Sequence, residues 1–266
     1  KEYRRQRQMC IRDRYQFSLA PLLLYSYLLG NAQALVDWTR NLKPPPEGCS
    51  YFNFMASHDG IGMRPLEGLL PEAEIEQLID VVHKRGGFAS MRTMATGVDR
   101  AYELNIALFS AFGDQAHSID AYIGAHQLLL AYQGVPGLYL NALLGTANDY
   151  QQMETTGRTR SINRGSWELS DLDRVLADED SHHGRVFFRL MDSLAVRKEQ
   201  PAFASSADQT FVSGSAECLI FLRHDEHQRV LVVASFAEAQ QQLAWPSQLP
   251  LPSQAKDLLS GDVLAC

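Results

Sequence analysis

Between Tyr15 and Arg197, short aromatic or β-branched runs alternate with helical stretches, and this alternation restricts the fold more than any other feature. Tyr15 to Ala20 reads as a short strand. Pro21 opens a long apolar segment, Leu22 to Leu42, which holds Gly30 and ends at Pro44-Pro45-Pro46. Proline near a first turn and beyond a last one is ordinary helix punctuation. Tyr51 to Ala56 reads as a buried strand that delivers the polar turn His58-Asp59-Gly60 at its C-terminal end.

Pro71 to Arg85 is the clearest helix. Ile75, Leu78, Ile79 and Val82 recur at helical spacing, Glu72, Glu74 and Glu76 occupy the early turns, Lys84 and Arg85 the last, and Gly86 comes next as a stop. Helical patterns return from Ile119 to Tyr132 and from Leu169 to Arg197, with a strand-like Gly137-Leu138-Tyr139-Leu140 between them. From Gln209 the texture changes to alternating, β-branched runs at Thr210 to Val212, Cys218 to Leu222, Val230 to Ala234 and Gln242 to Trp245. These predict a small antiparallel β domain. Strands alternating with helices predict a parallel sheet, where catalytic groups sit at the C-terminal ends of the strands. His58 and Asp59 occupy such an end.

With 45% hydrophobic and 21% charged residues, the 266-residue chain can bury a sizeable core. A net charge of −7 argues against nucleic acid or an anionic membrane as partner, because both need a concentrated positive surface. Cys10, Cys49, Cys218 and Cys266 lie far apart and show neither metal-site spacing nor a compact disulfide pattern, which points to a reducing, cytoplasmic setting. The apolar run at Pro21 to Leu29 is too short to span a bilayer. No metal or cofactor motif is apparent. Residues 1–14, "KEYRRQRQMCIRDR", are basic and unlike the rest of the chain, and read as a non-native leader. The closing "SGDVLAC" stops just after a strand-like beginning, so both ends read as truncated.

The stretch Ser57-His58-Asp59-Gly60-Ile61-Gly62-Met63-Arg64-Pro65 sets an imidazole, a carboxylate and a guanidinium within a few residues. By pattern alone Asp59 is a turn-capping residue beside a satisfied histidine, or the floor of a site. Arg64 is either a solvated loop residue or a fork for a carboxylate or phosphate.

Five segments in order, "YQFSLAPLLLYSYLLGN", "FNFMASHDGIGMRPLEGLLP", "YELN", "GVPGLYLNALLG" and "GRTRSINR", closely resemble the sucrose-phosphorylase branch of the α-amylase superfamily, glycoside hydrolase family 13. The motifs are closest to the glucosylglycerol and glucosylglycerate phosphorylases. The resemblance implies an α/β fold: residues 15–203 as the C-terminal part of a (β/α)8 TIM barrel, strands six to eight, and 204–266 as a small all-β C-terminal domain. Strand six would be Tyr15 to Phe17, strand seven Phe52 to Ala56 and strand eight Val135 to Leu140. Strands one to five, which in the family carry the nucleophilic Asp and the acid/base Glu, have no counterpart here.

The implied reaction is retaining glucosyl transfer to phosphate, giving α-glucose 1-phosphate from an α-glucoside. Its partners would be a sugar and inorganic phosphate, with a homodimer admitted. The resemblance makes Asp59 the transition-state stabiliser that grips sugar hydroxyls, His58 its neighbour, and Arg64, Tyr102, Glu103 and Arg160 substrate-binding residues. Sucrose phosphorylases carry Tyr-Gln where this chain has Tyr102-Glu103, so Glu103 makes a hydroxyl-rich acceptor such as a glycerol unit plausible. A helix-surface glutamate is the alternative reading. Arg160 aligns with the family's acceptor-side arginine, while Arg158 and Arg164 fit structural ion pairs as well. Within enzymes the rival is a hydrolase on the same scaffold, and outside them a non-catalytic carbohydrate-binding fragment. His182-His183, and His117 with His126, read as structural rather than as metal ligands.

Overall fold

The computed structural model describes residues 13–265 apart from 94–96, 98, 114, 238, 241 and 251. The expected leader lies largely outside these residues, as do Cys10 and Cys266; Cys49 and Cys218 are free thiols. Among the described residues no cluster of side chains could hold a metal ion, and no helix is long and apolar enough to cross a membrane.

The first sheet begins with β1 (Asp13–Tyr15), which runs parallel to β2 (Ser50–Phe54) with Tyr15 opposite Phe52. The chain then builds a separate antiparallel sheet from β3 (Ile61–Gly62), β4 (Phe88–Thr93) and β5 (Asp99–Asn105), in the order β3-β5-β4. It returns to the first sheet as β6 (Val135–Gly137), parallel to β2 with Phe52 opposite Val135. The parallel order β1-β2-β6 matches the expected sheet. The antiparallel sheet was not foreseen, because a two-residue strand leaves no periodic signature.

Several boundaries differ from the sequence reading. Strand pairing runs over 13–15 and ends with the Gln16 N–H donating to the Phe52 carbonyl; Ser18 then accepts from the Leu22 N–H and a helix has begun at Leu19. The single helix expected over 22–42 is two, Leu19–Leu29 and Gln33–Asn41. Gly30 stops the first at φ 63°, a left-handed conformation that glycine adopts without a Cβ penalty. Leu169–Ala177 and His182–Glu199 are likewise separate helices, the second capped by the Ser181 hydroxyl, which accepts from the Gly184 N–H at 2.9 Å. The strand expected to reach Leu140 stops at Gly137, and Leu140–Leu143 turns helical. The helix Glu72–Lys84 lies within the predicted 71–85, with acidic residues first and basic ones last.

The β domain consists of β7 (Asp208–Ser215), β8 (Cys218–His224) and β9 (Arg229–Ser235) in one antiparallel sheet, then a β10 (Gln254–Lys256) and β11 (Val263–Ala265) pair. Residues 242–245, expected as a strand, are irregular. One apolar core runs from Leu22, Leu23 and Leu24 through Leu78, Tyr122 and Leu129 into Leu219 and Phe221, all essentially inaccessible to solvent. Each such side chain contributes about 2 kcal/mol of burial.

Arg223, completely buried, ties the β domain to this core. Its guanidinium donates to the carbonyls of Ala131, Ala204, Ala207 and Asp208. Burial, helped by the nearby Arg197, lowers its pKa to about 10.

Candidate active site

β2 alternates its side chains, with Tyr51, Asn53 and Met55 buried and Phe52 and Phe54 half-exposed, and its chain emerges at the C-terminal edge of the parallel sheet as Ala56-Ser57-His58-Asp59-Gly60. The Asp59 N–H donates to the Ser57 hydroxyl at 3.1 Å, which closes the turn. Gly60 is needed next: a Cβ there would overlap the Leu104 carbonyl oxygen and the Glu103 side chain on β5. The turn is therefore pressed directly against β5.

The short 3-10 helix Thr159–Asn163 approaches from the other side, after the helix Tyr150–Thr156. It brings Arg160 between two carboxylates. Nε donates to Glu103 Oε1 at 3.0 Å, Nη2 to Glu103 Oε2 at 2.7 Å, and Nη1 to Asp59 Oδ1 at 3.1 Å. The Glu103 side chain is 9% exposed, against 38% for Arg160 and 46% for Asp59, so the acid is buried and its partner opens to solvent. The Glu103 hydrogen bonds, its charge and that of Asp59 raise the Arg160 pKa, with partial desolvation opposing them; the guanidinium stays charged.

Of the residues singled out in the sequence, the structure brings Asp59, Glu103 and Arg160 together. His58 is adjacent but points outward, its Nε2 3.7 Å from Asp59 Oδ1 and its side chain 71% exposed. Tyr102, half-buried, lies close enough to Arg160 to interact with it electrostatically, and its carbonyl accepts from the Met63 N–H. Arg64 is exposed at the start of the turn Arg64–Leu66 and makes no ion pair among the described residues. The alternative of a helix-surface glutamate does not hold: Glu103 is on β5, and both its oxygens accept from Arg160.

Two further residues join the cluster. Asn163 Nδ2 donates to the carbonyls of Asp59 at 2.8 Å and Ser57 at 3.4 Å. Arg164 donates through Nε to the His58 carbonyl at 2.7 Å and through Nη2 to Asp59 Oδ1 at 3.4 Å. Arg158 is exposed and takes no part. The signal for both additions was the stretch "GRTRSINR", where Asn163 and Arg164 come three and four residues after Arg160. The clustered histidines have other work. His183 Nδ1 pairs with the Leu144 carbonyl at 2.6 Å, and His126 is buried in the helix Ala116–Ala131.

No protein-family model matches the chain. It is 36% identical over 193 residues to glucosylglycerate phosphorylase of Escherichia coli (strain K12), covering 71% of this chain and 34% of that protein. It is 33% identical over 260 residues to glucosylglycerate phosphorylase of Spirochaeta thermophila, covering 94% of this chain and 44% of that protein. The chain thus spans less than half the length of these relatives. Among solved structures it resembles sucrose 6F-phosphate phosphorylase from Thermoanaerobacter thermosaccharolyticum, with a TM-score of 0.72, 22% identity, and coverage of 84% of this chain and 43% of that one. That likeness shows the fold, the C-terminal portion of a (β/α)8 barrel followed by a β domain.

Proposed function

We infer the function from the premise that this chain is a homologue of the glucosylglycerate, glucosylglycerol and sucrose phosphorylases. It carries part of the active site of a retaining glycoside phosphorylase, with β1, β2 and β6 standing as barrel strands six, seven and eight. The reaction takes an α-glucoside, with glucosylglycerate or glucosylglycerol ahead of sucrose, and inorganic phosphate to α-glucose 1-phosphate. The reactants and the free thiols Cys49 and Cys218 suit the cytoplasm.

A carboxylate attacks the anomeric carbon while a carboxylic acid protonates the departing oxygen. Phosphate then attacks the glucosyl–enzyme ester, the carboxylate leaves, and the acid/base takes up the proton. Neither bond-breaking carboxylate is assigned among these 266 residues, which carry supporting groups of the site. Asp59 is the transition-state stabiliser: its carboxylate accepts from sugar hydroxyls that become stronger donors as positive charge grows on the ring. Arg160 supplies positive charge beside it, suited to phosphate or to a carboxylate-bearing acceptor. Tyr102 and Arg64 border the same edge.

The observation that carries this reading is the convergence of Asp59, Glu103 and Arg160, from three separate segments, in one ion-paired cluster at the C-terminal end of β2. The same guanidinium favours phosphate over water as the second nucleophile, and so a phosphorylase over a hydrolase. The test is phosphorolysis of glucosylglycerate, glucosylglycerol and sucrose by the full-length enzyme, with and without phosphate. Phosphate-dependent glucose 1-phosphate, abolished by Asp59→Asn, is the expected result; phosphate-independent glucose release identifies a hydrolase, and sugar binding without turnover identifies a binding module.

A further inference from the structure

Three consecutive backbone carbonyls in the Asp59 turn, those of Ser57, His58 and Asp59, accept hydrogen bonds from just two side chains, Asn163 and Arg164, adjacent in sequence and more than a hundred residues away. Asn163 is 7% exposed, and its Oδ1 is buried without a hydrogen-bond partner among the described residues. An amide that leaves one oxygen unpaired in order to present its NH2 group to two carbonyls is held there at a cost, since an unpaired buried acceptor is unfavourable. Its own carbonyl is fixed by the Tyr139 hydroxyl at 3.1 Å, so the donor is not free to move with the loop.

Arg164 adds a second constraint. It spans a backbone carbonyl at 2.7 Å and the Asp59 carboxylate at 3.4 Å, coupling the turn to the side chain it carries. The contacts to the Asp59 carboxylate from the Arg160 and Arg164 guanidinium groups and the His58 imidazole all fall on Oδ1. Among the described residues nothing takes Oδ2. One oxygen is anchored and the other presented.

We propose that Asn163 and Arg164 are positioning residues that set the height and rotation of the Asp59 carboxylate, so that Oδ2 faces the sugar. This rests on the reading of Asp59 as the transition-state stabiliser. A carboxylate that strengthens its hydrogen bonds only in the transition state is sensitive to displacement, and a shift of about 1 Å costs on the order of 10²-fold in rate. The loss therefore falls on kcat, while KM, set by contacts made equally in the ground state, stays within about threefold.

The experiment measures glucose 1-phosphate release from glucosylglycerate and phosphate by the purified full-length enzyme carrying Asp59→Asn, Asn163→Ala, Arg164→Gln, Arg164→Lys or Arg158→Gln, with folding monitored by thermal melting. Expected are an inactive Asp59→Asn variant, kcat lowered on the order of 10²-fold in Asn163→Ala and Arg164→Gln with little change in KM, partial recovery in Arg164→Lys, and no change in Arg158→Gln. If Asp59→Asn is inactive while Asn163→Ala and Arg164→Gln keep the parent kcat, or raise KM alone, the positioning role is overturned and the reading of Asp59 stands. If the parent protein releases no glucose 1-phosphate, or Asp59→Asn retains activity, that reading fails and the inference falls with it. Should Arg164→Gln not fold, Arg164→Lys decides: a folded lysine variant with the parent kcat overturns the role.

Discussion

Arg160 meets Glu103 at two points, Nε to Oε1 at 3.0 Å and Nη2 to Oε2 at 2.7 Å, leaving only Nη1 to reach Asp59. The fork-on-fork geometry makes Glu103 a holder of Arg160 more than a ligand for acceptor hydroxyls, because its two oxygens are already engaged. Whatever Glu103 does to substrate choice it does through the orientation and effective charge of Arg160.

Glu103→Gln keeps the shape and removes the charge, and its amide NH2 cannot pair with a guanidinium. Arg160 is then released toward Asp59 and solvent. We expect relative kcat/KM to shift toward sucrose over glucosylglycerate by about tenfold, some 1.4 kcal/mol in the transition state. The stability cost is about 1 kcal/mol, because Arg160 remains partly solvated. Parallel phosphorolysis assays on the three glucosides check the first figure and urea unfolding the second; an unchanged ranking removes Glu103 from substrate selection.

Gly60→Ala tests how tightly the Asp59 turn is pressed onto β5. The added methyl would overlap the Leu104 carbonyl, which is held opposite Ile61 in the β3–β5 pairing and has little room to retreat. Overpacking of this kind destabilises by about 2 kcal/mol, and the Arg160–Asp59 contact is lost with it. Gly62→Ala is the control, since its methyl meets only Pro65 Cδ at 3.9 Å. Matching melting temperatures for the two variants would show that the turn is looser than its contacts imply.

Much of this architecture was legible in the residues. The helix Glu72–Lys84 declared itself because periodicity, end charges and the Gly86 stop agreed, and the Asp59 turn because it closes a short aromatic strand. Glu103 and Arg160 were both singled out, but as separate ligands; their pairing across 57 residues depends on a sheet whose shortest strand, β3, is two residues long. Asn163 stayed out of view for a similar reason. Its bonds go to backbone carbonyls, which carry no mark in the sequence.

The parallel sheet leaves an aromatic cluster open. Tyr15 and Phe17 are 59% and 57% exposed and stack at 5.7 Å, and both meet Phe54 edge-on. Exposed aromatic clusters of this kind mark surfaces that other protein covers. Expressed as these 266 residues, the chain should bind an apolar dye and self-associate, and Phe17→Ser should weaken both. Light scattering after gel filtration measures the association; a monodisperse monomer that excludes the dye would mean that the cluster is tolerated in water.

His126 couples the stability of the fold to pH. It is 1% exposed in the helix Ala116–Ala131, its Nδ1–H donates to the Tyr122 carbonyl at 2.8 Å, and its ring lies 4.4 Å from that of Tyr122. Burial disfavours the charged ring and lowers its pKa from 6.5 to about 4, with the backbone hydrogen bond opposing only in part. In the unfolded chain the same ring takes a proton near its ordinary value. Between those two points the unfolded state binds more protons than the folded one, so stability is full above pH 6.5 and falls as pH drops toward 4. The slope approaches 1.4 kcal/mol per pH unit, and the whole window is worth on the order of 3 kcal/mol. His126→Gln keeps a neutral donor for the Tyr122 carbonyl and cannot titrate. It should cost stability at pH 7 through imperfect packing, yet lose this component of the decline between pH 6.5 and 4. Urea midpoints for the two proteins across that range should converge as pH falls; parallel curves would mean that other groups, not this histidine, set the acid sensitivity.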